Sequence, residues 1–249
     1  MTRTEDYRKK LRELDDWDSF LLAESGLPGP RGNLALVDAA ADEGDEVRFQ
    51  HWLEYTDETA PTNTPEEFLA VCGAVGLGQL LKEGHREVLP TLRACASDTR
   101  WRMREGVAMA LQRWGDADIN ALIDEMEKWS SGNLLEQRAA AAALCEPRLL
   151  KNQVHTQRVL SVLDNITASI SQESNRKGEA FQALRKGLGY CWSVAVAAYP
   201  EAGKGYLEKW LTSTDKDIRW IMRENLKKDR LRRMDPAWVK VVQDRLGSA

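Results

Sequence analysis

Cysteine and histidine are scarce in this chain, four and three among 249 residues. Cys72, Cys95, Cys145 and Cys191 lie far apart with no CxxC pair, among apolar or small residues. That pattern predicts buried, reduced thiols rather than a disulfide frame or a zinc cluster. His51, His85 and His155 have no neighbouring ligand at metal-site spacing, so neither a metal nor another cofactor is expected. HExxH, P-loop and EF-hand spacings are missing, and no serine, threonine or cysteine sits in an activating motif with histidine. The usual sequence handles for metal, nucleotide and nucleophilic chemistry are therefore absent. Nor does any stretch approach the roughly 20 consecutive apolar residues of a membrane span. The segment MTRTEDYRKKLRELDDW lacks the apolar core of a signal peptide, so cytoplasmic localisation with no membrane partner is expected.

Hydrophobic residues make up 43% of the chain and charged residues 30%, the balance of a folded protein rather than a disordered one. Charge is unevenly spread. Residues 1–99 carry 10 Lys and Arg against 20 Asp and Glu, net −10, and residues 100–249 carry 25 against 19, net +6. An anionic partner would be drawn to the C-terminal part.

The stretch Ser97 to Trp114 organises the rest. Met103, Val107, Ala110, Leu111 and Trp114 recur at helical spacing and form one apolar stripe. Asp98 stands ahead of them as an N-cap candidate, which predicts a helix from about Thr99. The motif returns 119 residues later: Asp98, Arg100, Trp101, Met103, Arg104 and Glu105 match Asp217, Arg219, Trp220, Met222, Arg223 and Glu224. Weaker copies place Arg138 and Arg176 at the Arg104 position, so the four arginines are spaced by 34, 38 and 47 residues. Periods of that size, with two helices each, predict an all-α fold, a right-handed solenoid of about six helix pairs without strands.

Asp98, Arg104, Val107 and Leu111 together resemble the second helix of a HEAT repeat, and Asp217 to Leu226 resembles another. The resemblance extends over roughly Arg86 to Leu246. It implies a hydrogen-bonded ladder between neighbouring repeats, with Asp98, Arg104, Arg138, Asp217 and Arg223 as its members, and a concave surface lined by second helices. One elongated domain over 1–249 follows, with acidic helical repeats at 1–85, clearer repeats at 86–233 and a capping helix at 234–249.

Along the chain, residues 3–22 read as one helix with Leu11, Leu14, Phe20, Leu21 and Leu22 as its apolar members, ended by LPGPRG. Helices are expected over 33–42 and 46–55, with Val47, Trp52 and Leu53 inward. Thr64, Pro65 and Glu67 form a helix-start signal, and Gly73, Gly76 and Gly78 in the helix that follows would admit a close neighbour. Further stripes are Val88, Leu89 and Leu92; Ile119, Leu122, Ile123, Met126 and Trp129; and Val159, Leu160, Leu163, Ile166 and Ile170. Phe181 and Leu184 belong to the partner of the last stripe. Gly187 and Gly189 are expected to loosen the chain before YCWSVAVAAYP. Tyr206, Leu207, Trp210 and Leu211 form another first helix. The final helix, opened by Pro236, would pack Trp238, Val241, Val242 and Leu246.

The expected function is non-catalytic: a scaffold presenting a concave surface to a macromolecule, with a protein as the first partner class. Arg100, Trp101, Arg219 and Trp220 are its candidate contact residues. A second partner class is nucleic acid, through Lys227, Lys228, Arg230, Arg232 and Arg233. The alternative is an enzyme. HEAT-like DNA glycosylases that excise cationic alkylated purines are similar in architecture, and they combine tryptophans with an aspartate in a basic cleft. Trp101 with Glu105, and Trp220 with Glu224, share a helical face and offer an aromatic ring beside a carboxylate, although glutamate stands where that family would have aspartate.

Overall fold

The computed structural model describes residues 2–248, and among them every regular element is helical. The chain divides into two compact units, residues 1–118 and 119–249. The division falls at the end of the organising helix rather than at residue 85, where the acidic helical repeats are expected to give way to the clearer ones.

The first unit contains α1 (Arg3–Arg12), α2 (Trp17–Glu24), α3 (Leu34–Glu43), α4 (Glu46–Leu53), α5 (Pro65–Glu83), α6 (Leu89–Cys95) and α7 (Trp101–Ala117). Residues 3–22 do not form one helix. The Asp16 carboxylate accepts a hydrogen bond from Ser19 N and starts α2 afresh, because a short acid that caps a new turn competes with continuing the old one. Phe49 and Trp52 carry the burial of α4, whereas Val47 is 79% exposed at its first turn.

α5 is the centre of this unit. Thr64 Oγ1 accepts from Glu67 N at its start with Pro65 in the first turn, and Gly84 closes it at φ 107°. Its residues from Glu67 to Gly78 are all buried, so it is covered on every face and is apolar there apart from Glu67, as suits a helix wrapped by others. The glycines let the neighbours in. A Cβ at Gly76 would lie 2.2 Å from the Phe49 ring of α4, and one at Gly78 would lie 2.4 Å from the Ala110 backbone of α7. Alternate helices form a row, α1 on α3, α3 on α5 and α5 on α7, while α2, α4 and α6 also pack against α5.

The second unit contains α8 (Ile119–Trp129), α9 (Leu134–Leu144), α10 (Gln153–Ser169), α11 (Glu179–Ala198), α12 (Pro200–Lys209), α13 (Lys216–Leu226), α14 (Asp229–Met234) and α15 (Pro236–Ser248). Its helices fall into two rows: α8, α10 and α12 pack in succession, and so do α9, α11, α13 and α15. The expected stripes are the core, with Leu122, Ile123, Met126, Trp129, Val159, Leu160, Leu163, Ile166, Ile170, Phe181 and Leu184 all fully buried. Val242 and Leu246 seat α15, but Val241 is 56% exposed.

α11 runs unbroken through Gly187 and Gly189. A Cβ at Gly189 would lie 3.1 Å from Trp220 Cζ3 and 3.3 Å from Glu224 Cβ, so this glycine admits α13 rather than loosening the chain. One turn on, the buried Asn225 amide fixes the crossing. Its Nδ2 donates to Leu188 O and its Oδ1 accepts from Ser193 N, both at 2.8 Å.

Candidate functional site

The two motif copies lie in different units, one on α7 and one on α13. In the first copy, Asp98 does not cap α7, which starts at Trp101 with Arg100 at the N-cap position and no side-chain cap. The Asp98 carboxylate turns instead to its neighbour, accepting from Arg100 N at 2.7 Å, Nε at 3.0 Å and Nη2 at 2.8 Å. Arg100 also donates to Tyr55 O and Ala60 O, at 2.9 and 3.0 Å. Only 3% of Arg100 is exposed, so the arginine expected to line a groove is instead the buried peg that ties the loop before α5 to the start of α7. Arg104 Nη1 donates to the carbonyls of Asp98 and Thr99 at 2.8 Å and acts on the same turn.

Trp101, in contrast, is 46% exposed. The Arg102 guanidinium carbon lies 4.4 Å from its ring centroid. Arg102 itself is buried and holds three groups together: it donates to Glu67 Oε2 at 3.1 Å, Gly29 O at 2.7 Å and Asn63 Oδ1 at 3.2 Å. Glu105, one turn beyond Trp101, is exposed. Sequence reasoning missed Arg102 because its partners are 35 to 73 residues away.

In the second copy the N-cap is Asp215, which accepts from Asp217 N and Ile218 N. Asp217 is buried and meets two arginines: Arg176 Nη1 is 3.0 Å from its Oδ2, and Arg185 Nε is 2.9 Å from its Oδ1. Arg176 also bonds Asp215, at 2.6 and 2.8 Å. Burial pushes the Asp215 carboxyl up, but the Arg176 hydrogen bond and the two backbone N–H groups outweigh it and hold the pKa below its ordinary 3.8. The Asp215 hydrogen bond likewise raises the pKa of Arg176. These ion pairs join the segment before α11, and α11 itself, to the start of α13.

Trp220 is half-buried, with the Arg185 guanidinium carbon 3.8 Å from its ring centroid. Glu224 Oε1 accepts from Lys227 Nζ at 2.5 Å. Arg219 Nη2 donates to Leu246 O at 2.6 Å and anchors α15. Arg223 is exposed and, with Lys227, Leu226, Gln243, Leu246 and Gly247, lines a shallow cavity of about 210 Å³ between α13 and α15. The aliphatic stem of Arg138 on α9 lies beside Gly187 of α11.

The basic run divides in two. Lys227 and Arg232 are tied to acids on their own turns, Glu224 and Asp229. Lys228 and Arg230 converge on Tyr190 of α11. The Arg230 guanidinium carbon lies 4.6 Å from the ring centroid and its Nη2 donates to the phenol oxygen, while Lys228 Nζ lies 5.8 Å from the same centroid. Tyr190 is 43% exposed. Nothing in the local sequence marks it, since its partners are about 40 residues away.

Charge separates with the units. Residues 1–118 carry 14 Lys and Arg against 23 Asp and Glu, net −9; residues 119–249 carry 21 against 16, net +5. All four cysteines are free, with Cys72, Cys145 and Cys191 buried. Burial pushes the Cys95 thiol up to about 11 and raises Cys72 and Cys145 as well. Among the described residues no group of three or more His, Cys, Asp and Glu could hold a metal ion, and no helix is long and apolar enough to cross a membrane. No family model, curated protein or solved structure matches this chain.

Proposed function

We propose that this protein is a non-catalytic binding protein built from HEAT-like helix pairs, which presents the row α9, α11 and α13 to a macromolecular partner. The observation that carries the reading is the packing order in the second unit, where alternate helices stack in succession as two rows. Stacked pairs of that kind make a continuous surface from every second helix without requiring a closed pocket. The Asp217–Arg176 and Asp217–Arg185 pairs support it too, because they join successive elements of one row, as the ladder of the resembled family does. The enzyme alternative draws less support. It needs an open ring and an available carboxylate, and at the second pair Arg185 lies over Trp220 while Lys227 holds Glu224; at the first pair the ring is more exposed, with the Arg102 guanidinium carbon 4.4 Å from its centroid.

Photo-cross-linking tests the proposal. A photoreactive residue at exposed Lys186 on α11 should trap a macromolecule, whereas one at exposed Val154 on α10, in the other row, should not. Equal trapping at both positions, or none at Lys186, would refute the assignment of the surface.

A further inference from the structure

Cations at a protein surface commonly form ion pairs with carboxylates that lie close by. Around α14 the carboxylates are available, but Asp229 goes to Arg232 and Glu224 goes to Lys227. Arg230 and Lys228 have no carboxylate partner among the described residues and are aimed instead at the Tyr190 ring. The result is a flat aromatic group, 43% exposed, with two half-buried cations beside it that no carboxylate among the described residues pairs. It sits on a unit of net charge +5. Lys186, one turn before Tyr190 on α11, and Arg233 on α14 are also exposed.

A partner that satisfies every part of this cluster needs a flat π-system to lie on the tyrosine and anionic groups at the spacing of the flanking cations. We propose that the Tyr190, Lys228 and Arg230 cluster binds single-stranded nucleic acid, with an unpaired base stacked on Tyr190 and its neighbouring phosphates held by Lys228 and Arg230. The inference rests on the reading of this unit as a binding surface. Aromatic rings and arginine planes are the general stacking platform for unpaired bases. A base inside a duplex cannot reach such a ring without being unstacked, so the single-stranded form is preferred. An acidic peptide would satisfy the two cations and leave the ring without a matching surface.

Fluorescence anisotropy with the full chain and a labelled oligouridine of about 12 nucleotides, near the upper site size of single-strand binders, tests this. Binding should weaken steeply from about 50 to 200 mM salt, and an equal-length duplex should bind less well. Tyr190→Ala should weaken binding on the order of 5- to 150-fold, the range of one lost base–aromatic stack. Tyr190→Phe, which keeps the ring, should retain most of it. Lys228→Gln and Arg230→Gln should each reduce the salt slope by about one. Unchanged circular dichroism and thermal midpoint would show that the variants still fold. No binding by the wild type at low salt would overturn the inference. So would binding that Tyr190→Ala leaves intact and polyglutamate competes away equally, since that pattern belongs to an acidic partner. If the cross-linker at Lys186 still traps a protein while the oligouridine fails, the nucleic-acid inference falls alone and the binding reading stands.

Discussion

Replacing Gly203 and Gly205 by alanine, one at a time, separates packing from helix propensity on a single element. Both glycines lie in α12, and either substitution removes glycine's backbone-entropy penalty, worth about 1 kcal/mol in a helix interior. At Gly205 an added Cβ meets nothing within 4 Å, so that variant should keep the whole gain. At Gly203 the Cβ would lie 2.7 Å from Val196 Cα, 3.2 Å from its Cβ and 3.3 Å from its Cγ2, against an ordinary carbon separation of about 3.5–4.0 Å. A backbone atom cannot rotate aside, so α11 and α12 would have to part by about 1 Å, an overpacking cost of about 1–3 kcal/mol. Gly203→Ala should therefore range from neutral to about 2 kcal/mol destabilising, while Gly205→Ala stabilises by about 1 kcal/mol. Urea unfolding followed by circular dichroism measures this. With a slope of about 2 kcal/mol per molar, the two midpoints should differ by about 0.5–1.5 M, with wild type between them or level with Gly203→Ala. The midpoint is the quantity to compare, since a chain of two units need not unfold in one step. If both variants move upward together, the close approach of α11 and α12 at Gly203 is wrong.

Arg100→Ala should destabilise the first unit by about 3–5 kcal/mol, because it strands the Asp98 carboxylate and the carbonyls of Tyr55 and Ala60. Trp101→Ala, on the adjacent exposed side chain, should cost about 1 kcal/mol or less; thermal melts of the pair would refute the assignment if the order reversed. The depressed carboxyl of Asp215 contributes stability that is present above its ordinary 3.8 and lost as the pH falls through its lower folded-state value. The melting-temperature deficit of Asp215→Asn should therefore shrink as the pH falls below about 4, and a constant deficit would remove the Arg176 pairing as its cause. With three thiols buried and Cys95 raised to about 11, a thiol reagent near pH 8 should label the native protein slowly and titrate all four cysteines once urea unfolds it. Rapid labelling of any thiol in the native state would contradict that burial.

Much of the fold was legible because helical periodicity is local information. The stripes of α8, α10 and α11 are visible as spacing, and Thr64, Pro65 and Glu67 announce α5 because caps act within one turn. The glycines of α5 were readable as close-approach points, since a mid-helix glycine costs stability unless something needs the space. The same logic failed at Gly189. Its purpose lies in Trp220 and Glu224 of α13, about 30 residues on, and one residue type serves both for loosening a chain and for admitting a neighbour.

The candidate site was legible only in part, for the same reason. Asp98 and Asp217 occupy matching positions in two similar motifs, yet one folds back on Arg100 and the other pairs with Arg176 and Arg185. Arg100 and Trp101 are consecutive, and the arginine is buried while the tryptophan is exposed. What the sequence alone determined was which segments become helices and which of their faces are apolar, because backbone propensity and side-chain spacing are decided within a few turns. Which cation meets which carboxylate, which tryptophan stays open and how Tyr190 gains Lys228 and Arg230 depend on side chains 40 or so residues apart arriving at one place. Only the packing of whole helices brings them there.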